Sequence, residues 1–134
     1  MGRGTTLATP IKGPRTRAGA CRFAVGGVRL EPGQDTAKAI EELIRYCRMR
    51  KASHVSWACR IVRNDRIDDM KGDGGERGAG NVILDVLRKS STENVLVAVA
   101  RWYGGKHLGG LRFRIYRKLT VEMIEQLQSA KTIT

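Results

Sequence analysis

A chain of 134 residues accommodates one ordinary domain, at a prior of roughly 150 residues per domain, and two separate cores are not expected. Its 41% apolar and 28% charged residues are globular proportions that exclude a fibre or a disordered tail, and 25 Lys and Arg against 13 Asp and Glu, a net +12, point toward polyanionic partners. The longest apolar run, Val95 to Ala100, falls far short of the roughly 18 residues of a membrane span, and Cys21, Cys47 and Cys59 offer neither a disulfide framework nor zinc-ligand spacing.

Residues 1–20 carry Arg3, Lys12, Arg15 and Arg17 without an acid and are expected to form a flexible basic arm. The same composition fits an organellar transit segment, though no amphipathic apolar face accompanies it. Residues 21–130 are expected to form the folded domain and 131–134 a short tail. Cys21 to Leu30 reads as a strand with a bulge at Gly26-Gly27, closed by the turn Glu31-Pro32-Gly33. Asp35 caps a helix in which Ile40, Leu43, Ile44 and Cys47 share one face. Val55 to Val62 alternates as a strand, with Val55, Trp57, Cys59 and Ile61 on one side, which buries Cys59. Asn64 to Gly80, rich in glycine and acids, reads as a loop. Ile83, Val86 and Leu87 then have helical spacing, and Val95 to Ala100 suits a central strand covered on both faces. A glycine-rich loop from Trp102 to Gly110 leads into a helix marked by Leu111, Ile115, Leu119, Met123 and Leu127. Strands alternating with helices predict an α+β layer pair, with the helices on one face of a small sheet.

The loop and last helix gather Arg101, Lys106, His107, Arg112, Arg114, Arg117 and Lys118, with no acid from Asn94 through Val121. Unpaired N–H groups at a helix start, helped by the helix dipole and these cations, suit a phosphate or carboxylate. Aromatic rings among the cations also suit single-stranded RNA, whereas in the bland reading Trp102 and Phe113 only anchor the core. Neither glycine run is a nucleotide fingerprint, and Asp68, Asp69, Asp73 and Glu76 lack the alternation of a calcium loop. With only His54 and His107 available, nucleophilic catalysis is disfavoured; the one enzymatic arrangement left is a small hydrolase pairing His107 with Glu76 across a cleft. No catalytic residue, metal or cofactor is assigned.

Two segments, Asp73-Gly-Gly-Glu76-Arg-Gly-Ala-Gly80 and Arg101-Trp-Tyr-Gly-Gly-Lys-His-Leu-Gly109, together resemble the Impact N-terminal-domain family. The family pattern is an acidic DDGE followed by AG, then an apolar strand ending in Arg, two aromatics, Gly-Gly, a variable residue, a basic residue, Leu and Gly. Gly74 departs from it, standing where the second Asp is usual, and Trp102-Tyr103, His107 and Arg112-Phe113 look more like the eukaryotic branch. The resemblance implies a single α+β domain: a four-stranded, mostly antiparallel sheet with two to three helices on one face. It implies a non-enzymatic, cytoplasmic regulator of translation that modulates the amino-acid-starvation response, its partner being the ribosome-associated activator of the starvation kinase. Fuller members carry an additional RWD domain, which is not expected here because only residues 1–20 precede the match. The expected partner or anion surface is Arg101, Trp102, Tyr103, Gly104, Gly105, Lys106, His107, Gly109, Arg112 and Arg114, with Asp73, Gly75, Glu76 and Gly80 as an acidic loop facing it. The alternative is direct binding of RNA or another polyanion by the same loop and helix, with no membrane partner in either reading.

Overall fold

The structure, a computed structural model, describes residues 8–105 and 107–133. Five strands and three helices follow in the order β1 (Ile11–Ala18), β2 (Cys21–Arg29), α1 (Thr36–Tyr46), β3 (His54–Arg63), β4 (Arg66–Gly72), α2 (Ala79–Lys89), β5 (Val95–Trp102) and α3 (Leu111–Ile133). They build one sheet of order β1-β2-β5-β3-β4 in which every neighbouring pair is antiparallel. The α+β class stands, with five strands rather than four.

β5 is central, as its unbroken apolar run requires. Val95, Val97 and Val99 join the core under α2 and α3, while Leu96, Ala98 and Ala100 join a second core under α1. Helices therefore cover both faces, which corrects the expectation of a single helical layer. The consecutive glycines of β2 make this closure possible. A Cβ on Gly26 would lie 2.5 Å from the Cys47 sulfur below α1, and one on Gly27 would lie 2.7 Å from Met123 Cγ of α3. The β2 glycines admit a helix on each side rather than marking a bulge.

The irregularity lies instead in β1, where Lys12 pairs with Gly26 but Arg15 with Ala24, so that β1 carries one additional residue around Gly13-Pro14. The basic arm expected over residues 1–20 is thus, from Ile11 onward, an edge strand; residues 1–7 lie outside the described residues. The expected loop from Asn64 to Gly80 likewise contains β4, joined to β3 by a two-residue hairpin turn with Asn64 and Asp65 at φ of 51° and 65°. α1 matches its expectation: Asp35 caps it by accepting from the Lys38 N–H at 3.2 Å, and Leu43 and Cys47 are buried. Among the described residues, no helix is long and apolar enough to cross a membrane.

Candidate functional site

β4 ends at Gly72, and the carboxylate of the next residue, Asp73, accepts from the N–H groups of Gly78 at 3.1 Å and Gly80 at 2.8 Å and so caps α2. Those two backbone hydrogen bonds hold the Asp73 carboxyl below the usual carboxylate range. Its carbonyl accepts from the Ser56 hydroxyl at 2.7 Å and from the Glu76 N–H at 3.0 Å. Gly74, at φ 59°, lies so close to β3 that a Cβ would come within 1.9 Å of the Val55 carbonyl oxygen. Its carbonyl oxygen in turn stands 3.1 Å from His54 Nδ1.

This tight turn aims Glu76 inward, where it is only 8% exposed. Arg101, at the end of β5 and 3% exposed, donates from Nη1 to both carboxylate oxygens, at 3.0 and 2.8 Å. The buried Tyr116 of α3 donates its hydroxyl to Oε1, and Arg112 Nε stands 3.3 Å from Oε2. Burial alone raises the pKa of Glu76, but the Tyr116 and Arg101 hydrogen bonds more than offset it, and the net direction is downward. Burial and the neighbouring carboxylate both push the Tyr116 hydroxyl far above its ordinary value. Burial opposes the charge on Arg101, yet its bonds to Glu76 raise its pKa overall. Phe23 meets the Tyr116 ring edge-on, with centroids 5.8 Å apart, and closes the apolar side. Both Glu76 oxygens thus accept hydrogen bonds, which is the condition for a carboxylate to remain charged when buried.

Beyond Arg101 the chain turns away over a short loop. The Tyr103 N–H donates to the Ser53 hydroxyl at 2.9 Å and the Gly104 N–H to the Cys21 sulfur at 3.2 Å. A Cβ on Gly104 would sit 2.3 Å from the Ala20 carbonyl carbon, so this glycine lets the loop lie on the β1–β2 turn. Gly105 and Gly109 have φ of 84° and 56°, the left-handed region. The loop ends under Arg112, which donates to the Gly109 carbonyl and stacks 4.3 Å over Phe113, whose ring reaches Gly78 at the start of α2.

The two glycine motifs do meet, but inside the protein rather than across an open groove. Asp73 serves α2, Glu76 serves Arg101, Tyr116 and Arg112, and Gly80 packs against Asp73. Of the expected partner surface, Tyr103, Gly105, His107, Gly109 and Arg114 are exposed, Trp102, Gly104 and Arg112 are half-buried, and Arg101 is internal. Lys106 lies outside the described residues. His107 packs toward the Tyr103 ring, 5.5 Å between centroids. At the start of α3, where an anion site is expected, the Leu111 and Phe113 N–H groups donate to the Leu108 and Gly110 carbonyls. The three thiols are buried, and burial raises Cys47 and takes Cys59 to about 11, which keeps Cys59 protonated and inert as its strand face implied.

Sequence reasoning missed Tyr116, Ser56 and Cys21. Tyr116 carried a signal: it begins the buried stripe of Leu119, Thr120, Met123 and Leu127, where a ring with a polar tip needs an internal partner.

An antiparallel sheet between α1 and the α2–α3 pair, its acidic turn tied to β5 and α3 through one buried carboxylate, defines an α+β domain built on two glycine motifs. Residues 20–124 match the Impact N-terminal domain, and the chain belongs to that family. It is 34% identical over 93 residues to the Protein IMPACT homolog of Schizosaccharomyces pombe, covering 69% of this chain and 33% of that protein. It is 41% identical over 75 residues to an IMPACT family member of Saccharomyces cerevisiae, covering 55% of this chain and 44% of the relative. The chain therefore spans less than half the length of these curated relatives. Among solved structures, a crystal structure of a hypothetical protein superposes with a TM-score of 0.73 at 26% identity, covering 90% of this chain and 59% of the other. The two-domain translational regulator Yih1 superposes with a TM-score of 0.57 at 27% identity, covering 94% of this chain and 49% of Yih1.

Proposed function

We propose that this chain is a non-enzymatic binding domain of translational control, acting on a regulatory protein of the amino-acid-starvation response such as the ribosome-associated activator of the starvation kinase. Family membership and the likeness to Yih1, described as a translational regulator, support the translational part. The observation that carries the binding part is the Glu76 cluster, which fastens the loop after β5 at both ends through Arg101 and Arg112. Loops held at both ends on a rigid floor present side chains with little loss of entropy on binding. Tyr103, His107 and Arg114 are the exposed groups this loop and helix start offer. Catalysis is a poorer reading, because Glu76 is committed to three internal partners and His107 faces Tyr103.

The test is a pull-down with purified activator after nuclease treatment. The parent chain is expected to retain it, and Tyr103→Ala with Arg114→Glu to lose it while keeping the parent's unfolding curve. Undiminished retention by the folded double variant would sink the assignment of this surface.

A further inference from the structure

On the α1 side of the sheet, where the glycine-rich loop begins at Trp102, a second surface stands out by charge. The irregularity in β1 keeps Lys12 and Arg15 on one face, although an odd separation in a regular strand would divide them. Arg15 pairs with Ala24 and Arg17 with Arg22, so Lys12, Arg15, Arg17 and Arg22 all share the face of Ala24, a residue of the α1-side core. Lys12 confirms the direction by standing 5.1 Å over the Tyr46 ring of α1. Trp102 of β5 pairs with Arg22, whose guanidinium lies 5.1 Å over the indole ring.

Arg15, Arg17, Arg22 and Trp102 line a groove of ≈ 450 Å³. The α1–β3 connection adds the exposed Arg48, Arg50 and Lys51, anchored to the same core by Met49 and Ala52. No Asp or Glu occurs in residues 8–30, 43–64 or 94–121, and the acids at this end of the sheet, Asp73 and Glu76 in the turn after β4, are bonded to the start of α2 and to Arg101 and Tyr116. Arg17 and Arg22 are direct cross-strand partners, an arrangement of like charges that opposes folding. Among the described residues neither they nor Arg15 has an acid within ion-pair distance, whereas Arg60, Arg63, Arg66, Arg88, Arg101 and Arg112 all do.

We propose that this groove binds single-stranded RNA, its phosphates lying along Arg15, Arg17 and Arg22 and a base taking the place of the Arg22 guanidinium on Trp102. An RNA backbone supplies the repeated negative charge that the arginine pair lacks, and an indole face is a sequence-tolerant stacking platform. An uncharged protein surface fits less well, since it would leave the Arg17–Arg22 pair without counter-charge; of the exposed large apolar side chains, Ile67, Met70, Leu111 and Val121 lie on β4 and α3, while Tyr46 and Tyr103 border this face. This groove adjoins the loop proposed above to bind a regulatory protein at Trp102, but its cations lie on β1 and β2.

Fluorescence anisotropy of the full chain with a labelled oligouridylate, titrated at several salt concentrations, tests the proposal. The triple variant Arg15→Gln, Arg17→Gln, Arg22→Gln should bind about tenfold or more weakly at low salt, with a log–log salt slope shallower by about 2, given about 0.7 per phosphate for single strands. Arg114→Gln, Arg117→Gln, Lys118→Gln removes the same charge from α3 and should weaken binding less than about threefold, the residual long-range term. Equal losses in the two triples, or a loss only in the α3 triple, would overturn the site. Competition by poly-glutamate as effective as by oligouridylate of equal charge would overturn RNA in favour of an acidic protein. Arg17→Gln alone gives a readout independent of RNA: its low-salt unfolding midpoint should equal or exceed the parent's, and a fall would show that Arg17 serves the fold.

Discussion

Glu76 is the side chain on which the most depends. Replacing it by Ala strands the buried Arg101 guanidinium, and breaking a buried pair from one side costs about 3–5 kcal/mol. Tyr116→Phe removes only one donor to the carboxylate and should cost about 1–3 kcal/mol. Urea unfolding of the two variants should return that order; a loss below about 0.5 kcal/mol for Glu76→Ala would mean the pair does not form in solution. The same carboxylate fixes a pH dependence. The Tyr116 and Arg101 bonds outweigh burial and leave its folded pKa below the unfolded value of about 4.3. Its contribution is therefore present above about pH 4.3 and is lost as pH falls through the lower, folded value. Asp73, lowered by the Gly78 and Gly80 N–H groups, and Asp69, where Arg88 and Arg60 outweigh burial, act in the same direction. Tyr116 has the opposite sign: raised by burial and by Glu76, it contributes below an unfolded pKa of about 10 and loses that contribution at higher pH. The urea midpoint of the parent should fall steeply below about pH 4, and Glu76→Gln should be less stable at pH 7 with a shallower acid limb. Parallel acid limbs would remove Glu76 as a cause.

At the scale of elements, the fold hangs on a sheet thin enough in its middle to take a helix on each side. Gly26→Ala drives a methyl against the Cys47 sulfur, a strain of about 1–3 kcal/mol on the α1 side. Cys47→Ala removes the atom it meets, so the double variant should recover much of that loss, a coupling that thermal unfolding of all four chains measures. Additive losses would mean that Gly26 is required for its backbone alone. These elements also differ in how plainly the sequence announces them. α1 was legible because cap and stripe agree, and β5 because its run is apolar at both parities. That double parity already implied helices on both faces, and the one-layer expectation did not use it. β4 was hidden because an edge strand carries charge: Asp68, Asp69 and Lys71 interrupt the apolar alternation that a covered strand shows. β1 was hidden because Gly13-Pro14 and its cations read as a tail, and only pairing with β2 makes that segment a strand.

For the molecule as a whole, charge is the property the sequence states most clearly and locates least well. The net +12 pointed to the loop and last helix, yet it did not distinguish Arg101, an internal partner of Glu76, from Arg114 on the surface, because one-dimensional spacing holds no information about burial. The structure divides the charges unevenly. Among the described residues, every ion pair involves β3, β4, α2, β5 or α3, and none involves β1, β2 or α1. The exposed pairs contribute little, since surface bridges are typically worth about 0–1 kcal/mol, while repulsion among the remaining cations acts over the whole surface. The balance fixes the sign of a salt effect. As sodium chloride rises from 10 to 150 mM the Debye length shortens from about 30 Å to about 8 Å, which screens distant repulsion more than pairs in contact. The thermal midpoint of the parent should therefore rise with salt over that range. Arg17→Gln, which removes the Arg17–Arg22 repulsion, should rise by less. A midpoint that falls with salt would mean that the ion pairs of β3, β4 and α2 outweigh the repulsion, and an equal salt response in Arg17→Gln and the parent would mean that the Arg17–Arg22 pair holds no repulsion for a polyanion to relieve.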